Sequence, residues 1–109
     1  MAHHLNQHVQ IGNIGKIKEL GPNLMISVAS TNSYKDGQGE WINNAEWIEH
    51  TIFSRQEKRI KWARENLQPG DLVQVTSRPF QTVWTSEEGR QFGITFAVED
   101  LQLLTSKTK

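Results

Sequence analysis

The sequence predicts an all-β fold, five strands with a single α-helix between the third and the fourth. Two patterns carry this. Apolar residues recur at every second position in five segments separated by glycine and proline turn signals, the period of a half-buried strand. Only in RQEKRIKWARENL does the spacing change, placing Ile60, Ala63 and Leu67 at i, i+3 and i+7, the stripe of an amphipathic helix. A chain of 109 residues is one domain by length, with room for one modest core.

The elements follow in order. LNQHVQIGNIGKIK, residues 5–18, carries Val9 and Ile11 in alternation and then glycines at 12 and 15, which predict a first strand that bends or bulges. Gly21-Pro22 marks a turn, and LMISVAS puts Leu24, Ile26 and Val28 on one face of a second strand. SYKDGQGEW reads as a polar connection with Asp36-Gly37 as its turn signal. AEWIEHTIF, residues 45–53, is the third strand. If Ile48 and Ile52 face the core, alternation sends Trp47 and Phe53 to the opposite face, beside Glu49 and Thr51. Two large aromatics sharing a face with a carboxylate are not a core pattern.

Ser54 with Glu57 three residues on predicts a capping box for the helix, which Pro69-Gly70 ends. LVQVTSRPF alternates Val73 and Val75 as a fourth strand, with Pro79 marking an edge or bend. VWTSEEGRQF reads as a hairpin around Glu88-Gly89, and FGITFAVEDLQLL is the last strand. The domain spans 1–104, and TSKTK, 105–109, is a short polar tail. This order matches a five-stranded OB-fold barrel, the favoured choice among the topologies five strands allow.

Several function classes drop out. No apolar run approaches the ~18 residues of a membrane helix and MAHHLNQHVQ lacks a signal peptide's apolar core, so a cytoplasmic protein without membrane contact is expected. The absence of cysteine excludes disulfides and thiolate chemistry. His3, His4 and His8 have no further ligand at a recognisable spacing, so no metal is expected. There is no P-loop, GxSxG or pair of acids in an apolar setting, so neither catalysis nor a cofactor is expected. Twelve basic and twelve acidic residues balance, and any polyanion must be held by local patches.

The residues resemble those of the bacterial single-stranded DNA-binding proteins over nearly the whole chain. LNQHVQIGNIGK is similar to that family's first-strand GNLG motif, and ISVASTNSYKDGQGE to its second strand and loop. AEWIEHTIFSRQEK resembles its TEWH…FGK segment, ENLQPGDLVQV its KKGD turn, and TVWTSEEGRQF its KWTD…G hairpin. The resemblance implies an OB-fold that binds single-stranded DNA without sequence preference, in replication, recombination or repair. It implies stacking positions at Tyr34, Trp47, Phe53 and Trp84, with phosphate contacts from Lys35, Arg55 and, more weakly, Arg78 and Lys16. Stacking on rings is sequence-tolerant because every base has a π-face. Trp41 and Trp62 match no stacking position. Lys58, Arg59, Lys61 and Arg64 read as a solvated helix face.

The resemblance also implies a homodimer or homotetramer built on the first-strand segment His8, Val9, Gln10, Ile11 and Gly12, with Ile48 where the family often has a subunit-contact histidine. Three departures matter. PFQTV, residues 79–83, replaces a basic run. Glu49 stands where arginine is common. The chain stops at LQLLTSKTK, without the acidic tip that recruits replication and repair proteins. These departures leave open an accessory protein of a mobile element, a relative of the primosomal replication-restart protein, and an OB module that binds protein through the same aromatics.

Overall fold

The computed structural model describes residues 4–107. Strands β1 (His8–Leu20), β2 (Asn23–Lys35), β3 (Trp41–Ile52), β4 (Leu72–Ser86) and β5 (Gly89–Thr105) close into a barrel in the order β1-β2-β3-β5-β4. Helix α1 (Glu57–Asn66) lies between β3 and β4 in sequence. This is the OB-fold architecture.

Closure depends on β1, which serves two neighbours. His8–Asn13 pairs with β4 and Asn13–Leu20 with β2. The register shifts between Ile14 and Lys16, the bulge that the glycines suggest. Gly12 is required where the strand crosses β2, since a Cβ there would lie 2.1 Å from the Ala29 carbonyl oxygen. At the other seam β3 meets β5 in parallel only through His50 with Phe96 and Thr51 with Ala97. Beyond that seam the β2–β3 and β4–β5 hairpins continue without pairing to each other, out to Lys35 with Trp41 and Ser86 with Gly89. They form two arms.

The core gathers Ile14, Leu24, Ile26, Val28, Ile52, Val73, Val75, Val98 and Leu101, onto which the helix lays Ile60, Ala63 and Leu67. The helical stripe is as the sequence predicts, but its start is not. Gln56, not Ser54, occupies the N-cap and no side chain caps the helix. The Ser54 N–H is taken by Asn23 Oδ1, and the Gln56 amide donates to the Val98 carbonyl, so both residues tie the helix entry to neighbouring strands.

The turn after β2 also differs, with Gly39 rather than Gly37 taking the positive φ (79°). Asp36 Oδ1 accepts from the N–H groups of Gln38 and Glu40, which shortens the connection to residues 36–40. Tyr34, Lys35 and Trp41 are therefore strand residues. At the other end β5 runs through Thr105, and the Lys107 N–H donates to buried Asp71, so this part of the polar tail is tied to the barrel.

One buried polar group escaped the sequence reading. His50, fully buried on the Ile52 side of β3, has Nε2 2.8 Å from Gln10 Oε1 and Nδ1 2.7 Å from Ser77 Oγ. The Gln10 amide nitrogen donates to the Val28 carbonyl and Ser30 Oγ, leaving its oxygen to accept. His50 is thereby assigned as the neutral Nε2–H tautomer, with the Ser77 hydroxyl donating to Nδ1. Burial, with a smaller repulsion from His8, pushes its pKa down to about 4.

A histidine with a lowered folded-state pKa contributes stability that is present above its unfolded value, near 6.5, and lost as pH falls toward 4. Urea unfolding at pH 7 and pH 4.5 is expected to show a loss about 2 kcal/mol larger for the parent protein than for His50→Gln, which keeps polar partners but does not titrate. Equal losses in the two proteins would contradict the buried neutral imidazole.

Candidate nucleic-acid interface

Strand parity decides which side chains share a surface. Leu24, Ile26 and Val28 stand opposite Ile52, His50 and Ile48, so within the barrel the even positions of β2 and β3 face the interior. Odd positions face out: Trp47 opposite Ala29, Glu49 opposite Ser27, Thr51 opposite Met25. Thr51 pairs with Ala97, and Ala97 with Arg78. The outward row thus crosses the β3–β5 seam and continues along β4 through Arg78, Phe80, Thr82 and Trp84. One outer face runs from the first hairpin arm to the second.

On that face Trp47 is 58% exposed while Ile52 is fully buried, the arrangement that alternation predicts. The benzo edge of its indole lies over Gly15, where a Cβ would come within 2.3 Å of Cζ3. The β1 bulge leaves room for the ring to lie across the barrel wall. Lys16 and Glu49 both line the shallow groove beside it, so a cation stands near the carboxylate the sequence reading treats as unfavourable. Trp84, 49% exposed on the second arm, lies against Gly93, 3.1 Å from where a Cβ would be. Each tryptophan thus lies over a glycine two positions or more away across the sheet.

Between them sits a second aromatic group. Phe53, just past β3, faces Phe80 of β4 at a ring-centroid distance of 6.4 Å, the planes inclined by 39°. The Arg78 guanidinium lies over Phe80, 5.0 Å from its centroid. Phe53, Ser54, Arg55, Arg78 and Phe80 line a groove of about 350 Å³. Among the described residues the one ion pair is Arg64 with Glu19, so Arg55 and Arg78 carry unpaired charge. That same pair ties down one of the helix cations.

Tyr34 and Lys35 part company. Tyr34, 47% exposed, stands opposite Ile42 on the even parity, the face of the arm opposite Trp47's. Lys35 stands opposite Trp41 on the outward parity, with Nζ 5.5 Å from the Trp41 ring. The sequence reading leaves Trp41 out of the stacking set, yet parity puts it, not Tyr34, on Trp47's side of that arm. The sequence reading also leaves out Phe80, which it places at the end of the fourth strand and in the segment that replaces a basic run, with no stacking role. The signal was present in its spacing of four from Trp84, which gives the two one face of a strand. Trp62 is half-exposed on the helix.

In the first-strand segment, Gln10 and Gly12 are buried, His8 is half-buried, and Val9 and Ile11 are exposed. Its backbone pairs with β4. What it offers a partner is therefore apolar side chains rather than an open edge on that side. Ile48, half-buried, lines the groove between the two arms with Ile94 and Phe96. Of the three N-terminal histidines, His3 lies outside the described residues. Among the described residues no group of histidines and acids could hold a metal, and no helix is long and apolar enough to cross a membrane.

The family model of the single-strand binding protein family matches residues 5–104. Solved structures share the fold. The Plasmodium falciparum SSB, in complex with ssDNA, superposes with a TM-score of 0.76 at 18% identity, covering 95% of this chain and 98% of that one. The mitochondrial single-stranded DNA-binding protein Rim1 from S. cerevisiae gives 0.70 at 22% identity, with 94% and 98% covered. A small single-stranded DNA-binding protein from Streptomyces coelicolor gives 0.62 at 17% identity, with 94% and 96% covered. A search of curated proteins returned no relative by sequence.

The face assignment has a stability signature. Trp47→Ala and Trp84→Ala are each expected to change unfolding free energy by less than about 1 kcal/mol, as surface truncations do. Ile52→Ala is expected to cost about 2–5 kcal/mol. Chemical denaturation of the three variants checks this, and a Trp47→Ala protein less stable than Ile52→Ala would invert the two faces.

Proposed function

The chain belongs to the single-strand binding protein family, and on that premise we propose that its outer face, from Trp47 through Phe53, Arg55 and Arg78 to Trp84, is the surface on which it holds single-stranded DNA. The observation that carries this is the pair of exposed tryptophans lying over glycines on one continuous face, with unpaired arginines between them. An indole already lying on the barrel wall presents its other side to a base with little rotamer freedom left to lose. Each base so stacked contributes about 1–3 kcal/mol, whatever its identity. Arg55, Arg78, Lys35 and Lys16 supply phosphate contacts that fix the path of the strand without reading sequence. Lys35 reaches its place beside Trp41, which adds a ring to the proposed path.

The balance between terms is unusual for a polyanion binder. The chain is formally neutral, and Glu49 stands beside Trp47. Stacking, which salt does not screen, therefore carries more of the affinity than phosphate neutralisation does. The reading is of a non-catalytic binder that protects or organises single strands in replication, recombination or repair.

Assembly into a homodimer or homotetramer belongs to the same reading. Val9 and Ile11 expose apolar surface on β1, and the cross-strand pair Val83 and Phe92, with Ile94, exposes more on the β4–β5 arm. A second copy of the chain would cover surface of this kind.

Sedimentation velocity with a labelled 60-nucleotide oligo(dT) tests both parts. The protein alone is expected to sediment as a dimer or tetramer at micromolar concentration, and the label is expected to move with it, whereas a labelled duplex of equal length is not. Repeated across salt concentrations, log Kobs is expected to fall with log[salt] at about 0.7 per phosphate-bound cation, a slope of roughly 2–3 for the four named. Equal affinity for duplex, or no binding at low salt, would refute the DNA reading; a monomer would refute the assembly.

A further inference from the structure

Phe80 has no part in the stacking set that the sequence suggests, yet its surroundings are those of a ligand site. It lies on the outward parity between Arg78 and Trp84, faces Phe53 across 6.4 Å, and carries the Arg78 guanidinium on its ring. It also lines two grooves at once: the one with Phe53, Ser54, Arg55 and Arg78, and a larger one, about 500 Å³, with Gln81, Phe92, Gly93 and Ile94. Gly93 is the residue over which Trp84 lies. Phe80 is thus a wall shared by the two grooves.

A buried pair of phenylalanines would need no cations around it. Here the two rings are only partly buried, and two arginines without carboxylate partners flank them. Flat apolar faces with unpaired guanidinium groups beside them match the chemistry of a nucleotide, whose base seeks a π-surface and whose phosphate seeks a cation. We propose that Phe80 and Arg78 form, with Phe53 and Arg55, a nucleotide subsite. One unpaired base lies in the groove that Phe53 and Phe80 line together, against the surface of the ring pair, and its flanking phosphates lie on Arg55 and Arg78. The subsite rests on the single-strand binding reading and names a station within it. It also gives a physical role to the replacement of the basic run before Trp84: one stacking ring, backed by a guanidinium, stands where charge is missing.

The test uses the full chain, a short oligo(dT), and the variants Phe80→Leu, Phe53→Leu and the double variant. Leucine retains apolar bulk for the barrel wall and removes the π-face, so thermal melts should stay close to the parent's. Phe80→Leu is expected to weaken oligo(dT) binding about 10-fold with the salt slope unchanged. Arg78→Gln is expected to lower the slope by about 0.7. Because both rings hold one base, the double variant is expected to lose far less than the product of the two single losses. If the parent fails to bind oligo(dT), the functional reading itself is wrong. If the parent binds and folded Phe80→Leu binds within twofold of it, the subsite is overturned. Multiplicative losses in the double variant overturn the shared base.

Discussion

Side chains on a β-strand alternate between faces, and β3 uses that constraint to hold two incompatible environments 3–4 Å apart along one backbone. His50 and Ile52 are sealed inside the barrel, the imidazole satisfied by Gln10 and Ser77. Trp47, Glu49 and Thr51 are on the outside by the same necessity. A slip of one residue in the β2–β3 register would bury Trp47 and Glu49 and expose His50, so the interior contacts that fix the register also place the binding face. The His50 network thus has a specifying role: it is a polar interior arrangement that only one register satisfies.

The bend in β1 is the second half of the same device. Gly12 lets the strand cross β2 closely enough to reach β4 and close the barrel, and the bulge at Gly15 leaves the space that the Trp47 indole occupies. Gly93 gives the Trp84 ring comparable room on the other arm. In both places a residue without a side chain positions an aromatic one. The exposed rings are therefore held by the sheet rather than hanging from it.

Much of this was legible in the residues. Apolar alternation located all five strands, the single change of period located the helix, and the odd positions of AEWIEHTIF separated Trp47 from Ile52. What was hidden depended on neighbours distant in sequence. Ser54 has the chemistry of an N-cap, but its neighbour in space, Asn23, claims its N–H, and the helix starts later. Gly37 sits in a turn signal, yet Asp36 accepts from the N–H groups of Gln38 and Glu40 and sends the left-handed conformation to Gly39. Tyr34 looked like a loop aromatic because the strand ends could not be seen. Once β2 and β3 extend to Lys35 and Trp41, its parity puts it on the face of the arm opposite Trp47's. His50 and Gln10 read as polar residues on otherwise ordinary strands, since nothing local shows that they meet.

The central claim is that the indoles of Trp47 and Trp84 lie on the surface where DNA binds, and the four tryptophans make it directly observable. Each contributes one indole N–H signal to a two-dimensional proton–nitrogen NMR spectrum, and all can be followed together while oligo(dT) is added. The signals of Trp47 and Trp84 are expected to move from the first additions and saturate together, while that of Trp62, on the helix, stays in place. Movement of Trp62 with Trp47 and Trp84 unchanged would contradict the account.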